Sequence, residues 1–446
     1  MQRPGSRSPN DAEVNVDVAI VGGGAAGLMA ARTLGRAGRS VVLLEARHRL
    51  GGRIHSIVDP RSPVAIELGP EFVHGTPRIT AALLAEYGAA TFARAGTAFE
   101  LDANGTLVAA QDDPFERAAA VLRRGKNAAA NETVAALLAR ETTPAGRRDA
   151  AVAARLVGGF DAADPARASA REIAEEWASD AATGEQSRPA GGYGPLVAHL
   201  ARTLDRERVR LHLGAVVDAI AWSVGGVEVN ARLRGATHVF RAKRAIVTVP
   251  AGVLQAANES GAIVFEPALP PSVANALAHV AMGPVLKVIL RFRTRFWERV
   301  AEGRFADGAF FSSAGAFPTV WTQLPQRAPL LTAWAGGPAA AALAHFDRDA
   351  LAALALDGAG ALFGTEAAAD ECEAAYVYDW QRDPFARGAY SYVLAGGDGA
   401  RRELGAPLAR SALVIAGEAT APGGEGGTVA GALQSGERAA NSVLGG

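Results

Sequence analysis

A single cysteine, Cys372, stands among 446 residues. That excludes an internal disulfide framework and any multi-thiolate metal or iron–sulfur centre. The eight histidines are scattered without zinc-ligand spacing, so no metal site is expected. Neither sign of charge dominates: 45 Lys and Arg face 46 Asp and Glu, for a formal net charge of -1. The electrostatic footprint of a nucleic-acid or anionic-membrane binder is therefore missing. Long apolar runs are missing as well. The longest weakly charged stretch, 330–346, is interrupted by Gly336-Gly337-Pro338 and falls short of the ~20 apolar residues of a membrane span. Residues 1–13 read as a flexible polar arm with no apolar core, not a signal peptide. These absences leave a cytoplasmic globular protein, an enzyme by expectation, with neither nucleic acid nor membrane as partner.

Glycine is abundant: 51 of 446 residues, against the roughly 7% usual in proteins. Its placement is informative. The apolar run 16–21 leads into Gly22-Gly23-Gly24-Ala25-Ala26-Gly27, and a helical stretch follows over 28–37. Residues 40–45 then read as a second parallel strand ending on Glu45. Gly22, Gly24 and Gly27 form G-x-G-x-x-G. The first permits the turn, the second admits a pyrophosphate, and the third lets helix and strand pack closely. The helix amino terminus supplies free N–H groups for phosphates, and Glu45, 18 residues after Gly27, is placed for ribose hydroxyls. Dinucleotide binding follows. A second glycine cluster, Gly358-Ala359-Gly360, follows a helical pattern instead of a strand and reads as a helix end. One dinucleotide without a second points to a bound flavin reoxidised by something small.

Helical spacing dominates 77–185, with breaks at Asp113-Pro114, Thr143-Pro144 and Asp164-Pro165, and predicts four or five helices without notable strands. Short β-rich runs at 209–213, 216–222, 226–233, 238–241 and 245–249 predict a meander. Within the strand pattern 283–292, Val285, Lys287, Ile289 and Arg291 share one face. A lysine in so apolar a run is either a solvated edge residue or a paired, functional one.

Six segments, in order, resemble the flavin-containing amine oxidases. They are Glu45-Ala46-Arg47 with Arg49-Leu50-Gly51-Gly52-Arg53, Glu67-Leu68-Gly69-Pro70-Glu71-Phe72-Val73-His74-Gly75, Gly191-Gly192-Tyr193-Gly194, Val247 to Leu254, Lys287 in its strand, and Ala416-Gly417-Glu418-Ala419-Thr420 through Gly427-Thr428-Val429. The resemblance spans 16–440 and implies a mixed α/β architecture. In it a Rossmann-type FAD-binding domain of p-hydroxybenzoate hydroxylase-like topology is interleaved with a substrate domain of mixed sheet and helices. The expected division is 14–76, 186–265 and 385–446 for FAD, and 77–185 with 266–384 for substrate.

By the same resemblance, Glu45 holds the adenosine ribose, and Arg47 and Arg53 lie near the pyrophosphate. Residues 68–72 pass the isoalloxazine, with the backbone of Glu71 mattering more than its charge. Val217 meets adenine through its backbone, and Glu418 bonds the ribityl-diphosphate region. The helix from Thr428-Val429 points its amino terminus at the flavin C2 carbonyl. Lys287 orders a water at flavin N5, Trp380 and Tyr390 wall the amine site, and His74 either meets substrate or merely braces a loop. Ala389 stands where animal monoamine oxidases carry their flavin-bonding cysteine, so FAD is expected to be non-covalent. Thr428 replaces a second cage tyrosine, as in the polyamine-oxidase and histone-demethylase branches. The implied reaction is hydride transfer from an amine to FAD, giving an imine, with dioxygen returning the flavin to its oxidised form and yielding hydrogen peroxide. Polyamine-oxidase, L-amino-acid-oxidase and non-amine desaturase activities are its alternatives. A flavin-binding interaction protein is a rival of another class, and a homodimer is compatible with any of them.

Overall fold

A computed structural model describes residues 14–102, 104–257 and 259–445; the expected arm, 1–13, lies outside them. Two large sheets organise these residues. The first has eight strands, in the order Val209–Leu213, Val41–Glu45, Val14–Val21, Ala236–Val247, Gly226–Leu233, Val216–Ser223 and Val264–Glu266, with Leu413–Ile415 joined to Ala236–Val247. The strands Val14–Val21 and Val41–Glu45 pair in parallel over Val18 to Val21 and Val41 to Leu44, a stretch that is apolar and buried throughout, as cover by helices requires. The helix Ala25–Arg36 connects them and buries Leu28, Met29 and Leu34 against the carboxy-terminal helix Val429–Leu444.

The expected meander is partly redrawn. Residues 209–213 add in parallel to Val41–Glu45, on the far side from the antiparallel hairpins. The run 238–241 and residues 245–247 of the run 245–249 belong to one twelve-residue strand, Ala236–Val247. Its length lets the first half feed the antiparallel hairpin while residues 245–247 pair with Leu413–Ile415. A polar-looking interruption at Lys243-Arg244 disguised this continuity.

The second sheet runs Cys372–Asp379, Val285–Phe292, Leu330–Gly336, Thr319–Trp321, Gly308–Ser312, Thr97–Leu101 and Leu107–Ala109. Its last two strands correct the expectation of an all-helical 77–185. Thr97–Leu101 and Leu107–Ala109 are short and pair at the sheet margin, and Thr91–Ala93 joins a separate three-stranded sheet. Strands this short leave too few residues for a two-residue period to show. The helix starts in this region follow the sequence closely: Asp113 and Thr143 each cap a helix with proline at its first position, so the breaks are beginnings. Gly358, Ala359 and Gly360 lie inside the helix Arg348–Phe363, and left-handed Gly364 (φ 63°) closes it.

Val285–Phe292 is the second sheet's inner strand, paired on both sides and buried at every position. The solvated edge reading of Lys287 is thereby excluded: the residue is 2% exposed. Among the described residues, no helix is long and apolar enough to cross a membrane.

Candidate active site

A cavity of about 410 Å³ runs between the two sheets, from the glycine loop to the helices of 114–182. Its nucleotide end is made by backbone. Gly22 adopts φ +106°, and a Cβ there would meet Thr248 Oγ1 at 2.7 Å. A Cβ on Gly27 would lie 1.9 Å from the Gly22 carbonyl oxygen, so helix and strand touch only because that residue has no side chain. Gly24 is the helix N-cap and contributes no side-chain cap, leaving the first N–H groups of Ala25–Arg36 available for an anion. Glu45 ends its strand 3% exposed. Its Oε2 accepts from Gly23 N at 2.7 Å and its Oε1 from Arg47 N at 2.8 Å, so the carboxylate fixes the loop it serves.

Further along, Arg53 donates to Glu418 at 2.7 Å and to the Ala389 carbonyl at 2.8 Å. Burial opposes ionisation of Glu418, but Arg53 and Arg401 prevail and hold it below the usual carboxylate range. Its Oε2 also accepts from Ser391 Oγ and Gly427 N. Thr428 caps Val429–Leu444, accepting from Gly431 N at 2.9 Å, which turns that helix's amino terminus to the cavity.

The other end is made by side chains. Glu71, 7% exposed, collects donors from four residues: Lys287 Nζ at 2.9 Å, Arg188 Nε at 2.7 Å, Trp321 Nε1 at 3.1 Å and Gln323 Nε2 at 3.1 Å. Burial alone would push this carboxyl up, yet Lys287 and Arg188 bring it down to about 2. The charge of Glu71 is thus the centre of a network of protein groups. Lys287 also donates to the Gly69 carbonyl at 3.2 Å. The Arg188 guanidinium lies 4.3 Å from the centroid of the Phe72 ring. Trp380 donates to the Leu68 carbonyl at 3.0 Å, and Tyr390 to the Phe160 carbonyl at 2.7 Å. Burial lowers His74 to about 4 against a hydrogen bond that its ring donates to Gln186, so the ring is neutral at physiological pH. Its Nδ1 has no partner among the described residues.

Every site residue expected from the sequence lines this one cavity except Gly27, which packs behind it. Gly52, Ala26, Ala46, Pro70, Val217, Gly417 and Val429 are on the wall with the rest. The sequence reading missed Arg188, Trp321, Gln323, Asp161 and Glu176. A pattern search had no signal for them, since each acts through a partner distant in the chain. Among the described residues, no group of His, Cys, Asp and Glu is arranged to hold a metal ion.

A parallel βαβ unit, an open helix terminus and a strand-end carboxylate, facing a buried pocket of polar and aromatic side chains, define a dinucleotide-dependent oxidoreductase. More narrowly, the chain belongs to the flavin containing amine oxidoreductases, whose family pattern matches residues 25–444. Human lysine-specific histone demethylase 2 is 27% identical over 96% of this chain and 53% of its own length. Polyamine oxidase 2 of Arabidopsis thaliana is 30% identical over 67% of the chain and 62% of its own. The chain thus spans little more than half the length of these curated relatives. In fold it is similar to a double mutant of putrescine oxidase, with a TM-score of 0.80, 22% identity, and coverage of 97% of this chain and 100% of that one. Cyclohexylamine oxidase from Brevibacterium oxydans superposes with a TM-score of 0.78, at 23% identity over 96% and 99% of the two chains.

The cofactor is FAD, and the cavity fits it: the glycine loop has no side chain where a pyrophosphate must approach, and a helix terminus faces that loop. Ala389 lines the wall and carries no nucleophile, while Cys372 lies outside the lining, so the flavin is held without a thioether bond.

Proposed function

We propose that this protein oxidises an amine, passing two electrons and the α-hydrogen to FAD and leaving an imine that hydrolyses to an aldehyde. Dioxygen then takes the electrons and becomes hydrogen peroxide. The observation that carries the reading is the continuity of one cavity from the glycine loop to the Lys287–Glu71 pair and Tyr390.

Bound FAD supplies the electron acceptor. Gly22, Gly24 and the helix terminus hold its pyrophosphate with Arg47 and Arg53 nearby, and Glu45 takes ribose hydroxyls. The segments 68–72, Glu418 and the Thr428-capped helix flank the flavin half. Lys287 keeps its ammonium at the cavity wall because Glu71 pairs with it, and from there it orders water beside the flavin. Tyr390 and Trp380 present apolar faces that exclude water and orient the amine. Orientation and exclusion are what a protein contributes to a flavin reaction.

In this reading 14–76, 186–265 and 385–446 form the FAD domain, and 77–185 with 266–384 the substrate domain. Membership of the two sheets supports that division. Balanced charge and a single thiol support work in the cytoplasm without nucleic acid, as monomer or homodimer. The test is anaerobic: primary amines, polyamines and amino acids are mixed with the holoprotein and flavin bleaching is followed. At least one amine should reduce the flavin, and peroxide should form when air is admitted. Flavin that stays oxidised with every amine would refute the proposal.

A further inference from the structure

An ammonium ion has no lone pair with which to form a C=N bond, so an amine must lose a proton before its α-hydrogen can leave as hydride. Amines are mostly protonated at neutral pH, and the site therefore needs a base. Most titratable groups on the cavity wall are unsuited. His74 is held near 4 by burial, Glu71 is held at about 2 by its cations, and Glu418 is held low by Arg53 and Arg401. Lys287 is already paired with Glu71.

Asp161 is different. It is 8% exposed and lines the cavity. Its Oδ2 accepts from Trp177 Nε1 at 2.8 Å, and its Oδ1 has no hydrogen-bond partner among the described residues. It sits on a loop whose neighbours Ala162 and Ala163 are fully buried, and Ala162 adopts φ +49°. A left-handed non-glycine residue in a buried loop is held at a cost by its surroundings, a feature that gathers at functional sites. Tyr390 hydrogen-bonds the carbonyl of the preceding residue, Phe160, whose ring meets that of His74 edge-on at 5.4 Å. Glu176 also lines the cavity and bonds Arg401 at 3.1 Å. Arg155 lines the cavity too, while Glu172 and Glu175 bear on Glu176 from its own helix. Burial first, and then the like charge of Glu176, make Asp161 hard to ionise; Glu176 itself is raised to about 7, chiefly by burial. Two such carboxyls titrate as a pair, and once the pair is ionised it is strongly disposed to take up one proton.

We propose that Asp161 accepts the proton of the substrate ammonium, with Glu176 as the neighbouring carboxyl that sets its basicity. The N–H bond breaks, its electrons remain on nitrogen as the lone pair, and the proton bonds to Asp161 Oδ1. A carboxylate and an ammonium become a carboxylic acid and a neutral amine, with charge balanced. Loss of hydride then leaves an iminium ion. This inference rests on the amine-oxidation reading, and its test separates the two.

Anaerobic flavin reduction is measured across pH with butylamine and with 2,2-difluorobutylamine, whose fluorines weaken the base enough that a substantial fraction of its nitrogen is unprotonated at neutral pH. Asp161→Asn keeps an oxygen for Trp177 but cannot take the proton. It should slow reduction by butylamine at pH 7 by about 10²-fold, the scale of a lost general base, with recovery as pH rises. Reduction by the fluorinated amine should stay within a few-fold of the unaltered protein. A second variant, Glu176→Gln, removes the like charge. The acidic limb of the butylamine profile should then move to lower pH. Equal slowing of both amines by Asp161→Asn, no slowing of either, or an unmoved limb in Glu176→Gln would overturn the role of Asp161. Unaltered protein whose flavin no amine reduces would overturn the amine-oxidation reading instead.

Discussion

The two ends of the cavity are built by different means. At the nucleotide end, backbone does the work: missing side chains at Gly22 and Gly27, an uncapped helix terminus, and one carboxylate that braces the loop. At the other end, buried side chains from 71, 188, 287, 321 and 323 converge on a single charge. A backbone site tolerates no added atoms, whereas a side-chain site tolerates no lost charge.

The largest effect expected from that contrast is at Gly27. Gly27→Val forces atoms into the Gly22 carbonyl, which sits 1.9 Å from the position of even a Cβ. The purified variant should carry almost no flavin by absorbance. Full flavin content would break the claim that close backbone approach defines this end.

Next in size is Glu71→Gln, which leaves Lys287 and Arg188 buried without their shared counter-charge. Removing one partner of a buried pair costs roughly 3–5 kcal/mol, measurable by urea unfolding of the holoprotein. Its pH dependence has a definite sign. The folded pKa of Glu71 lies below the ordinary value of 4.5, at about 2. Its contribution is therefore complete above 4.5 and disappears as pH falls through that window. The Gln variant should lose the matching part of the acid-unfolding transition, and identical acid profiles would show that the network is not electrostatic.

The smallest effect is expected from Glu45→Ala, which removes a charge-assisted contact worth roughly 1.5–3 kcal/mol. FAD retention through gel filtration should weaken about tenfold or more while the fold persists. Undiminished retention would separate Glu45 from the nucleotide.

The same contrast explains what the sequence revealed. The βαβ unit, the G-x-G-x-x-G loop and the strand-end Glu45 were legible because a backbone site imposes fixed spacing on neighbouring residues. Lys287 was legible because a charge in an apolar strand is conspicuous. The charge role of Glu71 was not, since its partners lie at sequence separations of 117 to 252 residues. Asp161 was hidden for a similar reason: burial and a neighbour on another segment distinguish it, and neither leaves a local pattern. The strands at 97–101 and 107–109 were missed because, at five and three residues, they are too short to show a two-residue period.

The central claim is that cofactor binding and chemistry are divided between the two ends, with Lys287 on the chemical side. Lys287→Met keeps the length of the side chain and removes its donors, so it tests that division most directly. Flavin content is measured first, and stopped-flow absorbance then follows flavin reduction by amine and its reoxidation by dioxygen separately. The account predicts full flavin occupancy with one or both half-reactions slowed by about 10²-fold or more. Wild-type rates in both half-reactions would contradict it.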